Sequence, residues 1–511
     1  MTEYVFAIDL GTSGPKVALF TLDGTFVDGD FTPVALNVFP DGGAEQSPQE
    51  WWDALLGASQ RLMARVTMRR EEVVAVAVTS LWSGTVAVDR DANPLHDAII
   101  WMDARGAAAT RRLVGGRVRL QGYDPRKLRT WITRTGGAPA LSGKDSISHI
   151  LWLQEARPDV ARATWKYLEP KDWLNFRLTG RCAATFDSMV LHWVTDNRDP
   201  NRIDYDPELL ALTGLDRSQL PDLIGATSVL APLDGRAAAA LGLPPGISVV
   251  GGTPDLQSAA IGSGATRDFE GHLYVGTSSW LTCHVPFKKT DLFHGIASLP
   301  SPLPGKYYVA DEQEVAGGCL DWLRSNALET TDDFAALDAH AAKVPAGCNG
   351  LVFTPWLNGE RTPVDDHTLR AGWNNMSLGT TRPELVRSVL EGVAYNSRWL
   401  LHTVERFTGR PFRWLHFIGG GAQSELWCGI MADVLDREIR QVENPIRANA
   451  RGAALLAGIA LNRVALEDLA RNVRITRTFS PDPANRAVYD DGYAEFRRLH
   501  KQTAKRTKRH A

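Results

Sequence analysis

The sequence predicts an α/β protein made of two related halves with a cleft between them. Short apolar runs bounded by Gly, Ser and Asn turns alternate with amphipathic helical stretches, as a mixed α/β architecture requires. A strand, Gly-Thr-Ser turn, strand unit at residues 4–20 returns at residues 272–285, and a repeat at that range implies an internal duplication. At 511 residues the chain also exceeds what one ordinary core accommodates.

The first of these units runs from Tyr4 to Phe20. Asp9 closes its first strand, Gly11-Thr12-Ser13-Gly14 makes the turn, and Lys16 follows just beyond. The turn can aim backbone N–H groups and two hydroxyls at phosphate oxygens, Lys16 adds positive charge, and Asp9 can hold Mg²⁺ directly or through water. No Gly-Lys-Ser/Thr opens a helix here, so the unit is not a P-loop, and Pro15 has no N–H to give. Taken alone, the unit reads more readily as an ordinary hairpin with Asp-Leu-Gly turn chemistry, and the rest of the chain decides.

A Pro/Gly/Asp loop, Phe39 to Ser47, leads to a helix from Pro48, with Ser47 as cap and Glu50 completing a capping box. Strands follow at Val73–Val78 and Thr85–Asp89, and Asp91-Ala-Asn-Pro94 turns the chain. Residues 103–245 read as mostly helix and loop, with helices over Ile147–Glu155 and from Pro170 to a C-capping Gly180. Ser248 to Asp255 is a strand breaking into a glycine turn, ahead of a small-residue helix, Leu256 to Gly264. Asp255 suits two roles there, a carboxylate projecting into the cleft as general base and a helix N-cap.

The second half opens at Gly271 and repeats the hairpin around Gly276-Thr277-Ser278. Later, the strand Trp414–Ile418 runs into Gly419-Gly420-Gly421 and a helix from Ser424 to Val434. A dinucleotide fingerprint competes for this stretch, with Glu443 downstream. It fails because Ser424 stands where the third glycine belongs and the strand comes too late in the chain.

Composition excludes several function classes. Hydrophobic content of 44%, charged content of 23% and a net charge of −3 suit a globular protein and give no electrostatic footprint for nucleic acid. Five cysteines without a C-x-x-C pair read as reduced thiols rather than a disulfide frame or zinc site. No apolar run approaches the ~20 residues of a membrane span, and Met1-Thr2-Glu3 does not open a signal segment. A cytoplasmic protein with no membrane partner is expected, with a homodimer as one candidate assembly. The basic stretch from Lys501 to Ala511 reads as a frayed, solvated tail.

Taken in order, these segments resemble the FGGY carbohydrate kinases, with the xylulose kinases as the nearest branch. The likeness runs from Ala7 to about Leu461. It rests on Ile8-Asp-Leu-Gly-Thr-Ser-Gly14, Ile100-Trp-Met-Asp-Ala-Arg105, Pro170-Lys-Asp-Trp173, Gly251-Gly-Thr-Pro-Asp255 and Gly276-Thr-Ser278. It continues through Gly317-Gly-Cys-Leu-Asp-Trp322, Asn358-Gly-Glu-Arg-Thr-Pro363, Glu391-Gly392, Gly419 to Trp427 and Arg451-Gly-Ala-Ala454. The resemblance implies two RNase H-like domains of the actin and hexokinase type closing on ATP·Mg²⁺ and a small sugar or polyol. The expected N-terminal domain covers 1–265 and carries sugar, first phosphate hairpin and base. The C-terminal domain, 266–490, binds nucleotide, and 491–511 is a helix end and basic tail. Gly11, Thr12, Ser13 and Lys16 with Gly276 and Thr277 would cradle the phosphates, Gly317 would face the ribose, and Gly420, Gly421 and Ser424 would line the adenine pocket. Asp9 would meet the metal and Asp255 would be the general base.

The acceptor pocket departs from that pattern. Xylulose kinases usually carry Met-His-Gly where this chain has Trp82-Ser83-Gly84, and Asn where it has Leu256. Both changes remove polar partners for sugar hydroxyls, which bears directly on specificity. Trp82 can stack on a sugar face or serve as core. Asp103 and Arg105 are the remaining polar candidates for the acceptor, with a surface ion pair as the alternative. Gln257 reaches the sugar if its helix turns it inward. His149 replaces a usual Lys and Asn375 a usual Gly. The expected activity is ATP-dependent phosphorylation of a small sugar, foremost a ketopentose such as D-xylulose, with another sugar or a polyol as alternative acceptor. An actin- or Hsp70-like ATPase competes less well because its expected mark, a large appended substrate domain or filament surfaces, is not seen, and a silent sugar sensor because Asp9, Lys16, Asp255 and both Gly-Thr-Ser turns are kept.

Overall fold

The computed structural model describes residues 2–510, with side chains through Lys505. Its N-terminal lobe is built on a mixed sheet of β1 (Tyr4–Gly11), β2 (Gly14–Thr21), β3 (Phe26–Phe31), β4 (Val73–Ser80), β5 (Val229–Pro232) and β6 (Ser248–Pro254). The order is β5-β6-β4-β1-β2-β3, with β6, β4 and β1 mutually parallel and β1-β2-β3 an antiparallel meander. Parallel neighbours bury both faces, and β1 and β4 accordingly read as near-continuous apolar runs. One face packs Phe6, Ile8, Val17, Leu19, Val76 and Val78 against α1 (Pro48–Arg65) and α2 (Pro170–Thr179). Ser47 caps α1, accepting from the Glu50 N–H, and Gly180 closes α2 in the left-handed conformation.

The C-terminal lobe repeats the plan. Its strands are β7 (Gly271–Val275), β8 (Ser279–Val285), β9 (Thr290–Asp291), β10 (Ile296–Pro300), β11 (Tyr307–Ala310), β12 (Trp414–Ile418), β13 (Glu438–Val442) and β14 (Ile475–Phe479). They lie in the order β9-β10-β11-β8-β7-β12-β13-β14, again with an antiparallel meander beside a parallel centre.

Two helices join the lobes. The first, α3 (Asp255–Gly262), ends β6; a long helix, α4 (Arg382–Thr408), and α5 (Glu425–Leu435) back the second sheet; the second joining helix is α6 (Ala448–Ala460). A Cβ on Gly262 would lie 1.7 Å from the Ala448 oxygen, and one on Gly452 would lie 1.9 Å from the Ser258 oxygen. The helices therefore meet backbone to backbone. Although it comes late in the chain, α6 lays Ala450, Ala453, Ala454 and Ala457 on Val5, Ala7, Ala75, Ala77 and Val250 of the first sheet.

Two local expectations change, and one substitution finds its reason. Asp255 is the first residue of α3, with Pro254 at the cap position, and its Oδ1 accepts from the neighbouring Leu256 N–H at 2.8 Å. Asn375 has a φ of +70°, which explains how it stands where a glycine is usual, since Asn tolerates this region. The basic stretch from Lys501 is helical as far as His510, and Ala511 lies outside the described residues. The stretch extends α7 (Arg486–His510), which is anchored upstream by Tyr489 and Phe496 in the second core and continued by good helix formers.

Candidate active site

The parallel centre of the first sheet aligns three strand ends. Thr79 of β4 pairs with Asp9 of β1 on one side and with Thr253 of β6 on the other, so Asp9, Ser80-Leu81-Trp82 and Asp255 emerge at one edge. Open α/β sheets bind ligands beyond such carboxyl ends. Strand β6 reaches this edge through a bulge at Gly251-Gly252, where its register shifts. Gly252 has a φ of +72°, and a Cβ there would sit 2.0 Å from the Val78 oxygen. Lys171 Nζ and Asn175 Nδ2 both donate to the Gly251 oxygen, at 3.0 and 2.8 Å, and Lys171 also pairs with Asp172. These groups are buried at the start of α2, so the bulge that aims Asp255 is clamped from behind.

Asp255 has its pKa pushed up to about 8, first by burial and then by the charge of Asp9, with Glu312 adding to the effect. The Leu256 N–H bond and the Lys16 ammonium work the other way. Asp9 is 2% exposed; its Oδ2 accepts from Lys16 Nζ at 3.3 Å, while its buried Oδ1 has no partner. An orphaned carboxylate oxygen at a strand end fits a cation or a cation-bound water. No group of three or more His, Cys, Asp or Glu among the described residues could enclose a metal by itself. A Mg²⁺ here would share its shell with substrate phosphates, as Mg²⁺ commonly does.

The Gly11–Ser13 turn is held in place by Gln46 Nε2 donating to the Thr12 oxygen (2.8 Å) and Trp101 Nε1 donating to Thr12 Oγ1 (3.0 Å). Ser13 is exposed at its tip, as Thr277 is in the second hairpin. The approach to Gly11 is narrow, because a Cβ there would lie 3.3 Å from Lys16 Nζ.

In the second lobe the glycines converge on the end of β7. The Gly317 N–H donates to the Gly276 oxygen at 2.7 Å, and a Cβ on Gly317 would lie 2.4 Å from that oxygen. A Cβ on Gly421 would lie 2.8 Å from Val275 Cγ1, while Gly420 faces open space. Ser424 serves as the N-cap of α5, its hydroxyl accepting from the Trp427 N–H at 2.9 Å. Tyr274 of β7 stacks on Trp280 at 3.8 Å with the rings 6° from parallel. Burial first, and then the charges of Asp255 and Asp9, raise the pKa of the Tyr274 phenol. The second hairpin therefore lies within electrostatic reach of both carboxylates.

The acceptor candidates divide. Trp82 is 8% exposed, packs in a cluster with Trp131, Ile147 and Met189, and donates Nε1–H to the Ser188 oxygen at 3.1 Å. Leu256 packs against the same cluster. Ser83 Oγ donates to the Lys144 oxygen at 2.7 Å. Asp103 and Arg105 are not a surface ion pair. Asp103 is 1% exposed and accepts from the N–H groups of Ala44 and Arg105, and Arg105 bridges it to Glu45 while lying 3.7 Å over the Trp152 ring. The pair ties two loops together, with both side chains committed. Gln257 is fully buried; its Oε1 accepts from Thr253 Oγ1 at 3.2 Å and its Nε2 has no partner.

A charged network that the sequence reading gave no role lies beside Asp255. Glu314 accepts from Lys144 Nζ (3.0 Å), Asn358 Nδ2 (3.1 Å) and Arg361 Nη2 (3.0 Å), and Arg361 also pairs with Glu312. Lys144 belongs to the first lobe and the other residues to the second, so the network spans the cleft. The Asn358–Pro363 segment was legible as a motif, but its partners Glu312 and Glu314 carried no spacing signal.

Two parallel-centred lobes, each with a Gly-Thr-Ser hairpin, set around a carboxylate pair define a two-lobed phosphotransferase fold of the actin and hexokinase type. The family comparison agrees. The FGGY carbohydrate kinase N-terminal domain matches residues 4–262 and the C-terminal domain residues 272–461. The chain belongs to the FGGY family of carbohydrate kinases and is an ATP-dependent sugar kinase. It is 28% identical to the xylulose kinase of Escherichia coli, over 97% of this chain and 98% of that protein. It is 25% identical to the gluconokinase of Bacillus subtilis, over 98% and 94%. Among solved structures, the xylulose kinase of Rhodospirillum rubrum aligns with a TM-score of 0.81 at 26% identity, over 99% of this chain and all of that one. The gluconate kinase of Lactobacillus acidophilus aligns with a TM-score of 0.86 at 21% identity over the full length of both, a likeness of fold. No helix among the described residues is long and apolar enough to cross a membrane.

Proposed function

We propose that this kinase phosphorylates a ketopentose such as D-xylulose, with Asp255 as general base. The observation that carries the reading is the placement of Asp255 at the end of a clamped glycine bulge, partly exposed and within electrostatic reach of Asp9 and Lys16. A carboxylate held near pKa 8 is matched to accepting a hydroxyl proton near neutral pH. In phosphoryl transfer the base orients the acceptor and takes its proton late, while positioning and charge stabilisation lower most of the barrier. The Gly11–Ser13 and Gly276-Thr277 turns would hold the phosphates with Lys16, Gly317 facing the ribose, and Gly420 and Gly421 flanking the base of the nucleotide. Asp9 would hold Mg²⁺, which when bound neutralises phosphate charge. The five cysteines are unpaired, in keeping with a cytoplasmic enzyme.

A second acceptor class is supported by a specific observation. Trp82 and Leu256 give the edge next to Asp255 an apolar wall where hydroxyl partners are usual in xylulose kinases. A gluconokinase also stands among the relatives. ADP release with Mg·ATP and a panel of ketopentoses, pentitols, aldoses and gluconate decides the matter. Strongest kcat/KM with D-xylulose supports the proposal; preference for a sugar acid or pentitol replaces it.

A further inference from the structure

A directed chain of hydrogen bonds runs from the second lobe to the first turn of α3. Trp280 Nε1–H donates to His272 Nε2 at 3.2 Å, and His272 Nδ1 meets Thr282 Oγ1 at 3.2 Å. Thr282 Oγ1 donates to Tyr308 Oη at 2.8 Å, and Tyr308 Oη donates to the Leu256 carbonyl oxygen at 2.8 Å. All four side chains are at most 4% exposed.

The direction is fixed from both ends. A carbonyl only accepts, so the single Tyr308 hydrogen points at Leu256, and Tyr308 must accept from Thr282. The Thr282 hydrogen is thereby used, and Thr282 must accept from His272 Nδ1–H. An indole N–H only donates, so His272 Nε2 must carry no hydrogen. Neutral imidazole with its proton on Nδ1 is the one state that satisfies every bond. Burial, with His284 and His416 nearby, holds the His272 pKa at about 3, which keeps it in that state at any working pH.

The chain links the two substrate regions. Trp280 stacks on Tyr274, whose hydroxyl lies over Gly276 in the phosphate turn. At the other end, the Leu256 N–H donates to Asp255 Oδ1 at 2.8 Å, so the Leu256 backbone is gripped by the carboxylate on one side and Tyr308 on the other. We infer that Tyr308, Thr282 and His272 are positioning residues that set the Asp255 carboxylate from the nucleotide-side hairpin, so that the phosphate turn and the base move as one unit. The inference rests on Asp255 being the base.

Steady-state kinetics of the full-length enzyme with Mg·ATP and its best acceptor, together with thermal melting, test this. Tyr308→Phe keeps the ring and removes the donor; it should lower kcat by roughly 3- to 10-fold, the scale of one neutral hydrogen bond, with ATP KM and melting temperature nearly unchanged. Thr282→Val should act alike, and Thr282→Ser, which keeps the hydroxyl, should restore kcat. The double variant Thr282→Val/Tyr308→Phe should be no slower than the worse single variant, because a chain already broken cannot be broken again. Full kcat in Tyr308→Phe, or losses that multiply in the double variant, overturns the inference. Asp255→Asn run in parallel keeps the two ideas apart: if it stays active the base assignment fails, whereas an inactive Asp255→Asn beside a fully active Tyr308→Phe rejects only the chain.

Discussion

Replacing Asp255 with Asn should make the protein inactive and, at high pH, more stable. Asn keeps the acceptor oxygen for the Leu256 N–H but cannot take a proton. Loss of a positioned general base lowers kcat by on the order of 10²- to 10⁴-fold. The stability effect follows from linkage. The Asp255 pKa rises from 3.8 to about 8 on folding, so the folded state binds the proton more tightly than the unfolded chain between those values. The sign is therefore that stability falls as pH rises through this window, with no penalty below pH 3.8 and the full penalty above 8. The ceiling on that penalty is on the order of 6 kcal/mol. Asp255 keeps partial access to water, which screens it, so about 2 kcal/mol is the working figure. In a lobe of this size that is a rise in melting temperature of roughly 4–8 °C for Asp255→Asn at pH 8.5, shrinking to nothing near pH 4. Melting curves at the two pH values and ADP release at pH 8 measure both effects. Turnover within tenfold of wild type would refute the base assignment, and an unchanged melting difference between the two pH values would refute the electrostatic account.

The same ionisation predicts that kcat/KM for the acceptor rises about tenfold per pH unit below 8 and levels off above it, a limb that a pH–rate profile detects and Asp255→Asn abolishes. Lys16→Ala removes the cation paired with Asp9 and should lower kcat/KM for Mg·ATP by on the order of 10²-fold, with acceptor binding measured by calorimetry unchanged. Gly317→Ala forces a methyl against the Gly276 oxygen, so ATP KM should rise by roughly tenfold, in line with the 1–3 kcal/mol cost of overpacking, while acceptor KM stays put. Lys171→Met leaves Asp172 buried without its cation and leaves the Gly251 oxygen to Asn175 alone; urea denaturation should show a loss of about 3–5 kcal/mol.

Much of the frame was legible in the residues. The apolar strands around Asp9 and Tyr274, the small-residue helix after Asp255 and the Ser47 and Gly180 caps appear where periodicity and capping chemistry put them, because these features act over a few residues. Strand β3, Phe26–Phe31, went unread, since its Asp28, Gly29 and Asp30 resemble a loop and only pairing with β2 makes it a strand.

The sequence by itself determined that a Gly-Thr-Ser hairpin occurs twice, that Asp9 lies near the end of one strand and Asp255 directly follows another, and that ten segments follow the order of a sugar kinase family. Tertiary structure alone decided which of the singled-out polar groups are left for chemistry. Asp103 and Arg105 are used up in a buried network, the Thr12 and Ser83 hydroxyls are bonded within the protein, and Ser424 caps a helix. Asp9 Oδ1 and the Asp255 carboxylate stay available beside the hairpins, while Glu312, paired with Arg361 in a distant loop, adds its charge to the site. The reason is physical: hydrogen-bonding capacity is consumed by whatever partner lies within 3 Å, and such partners are chosen by the packing of strands and helices far apart in the chain.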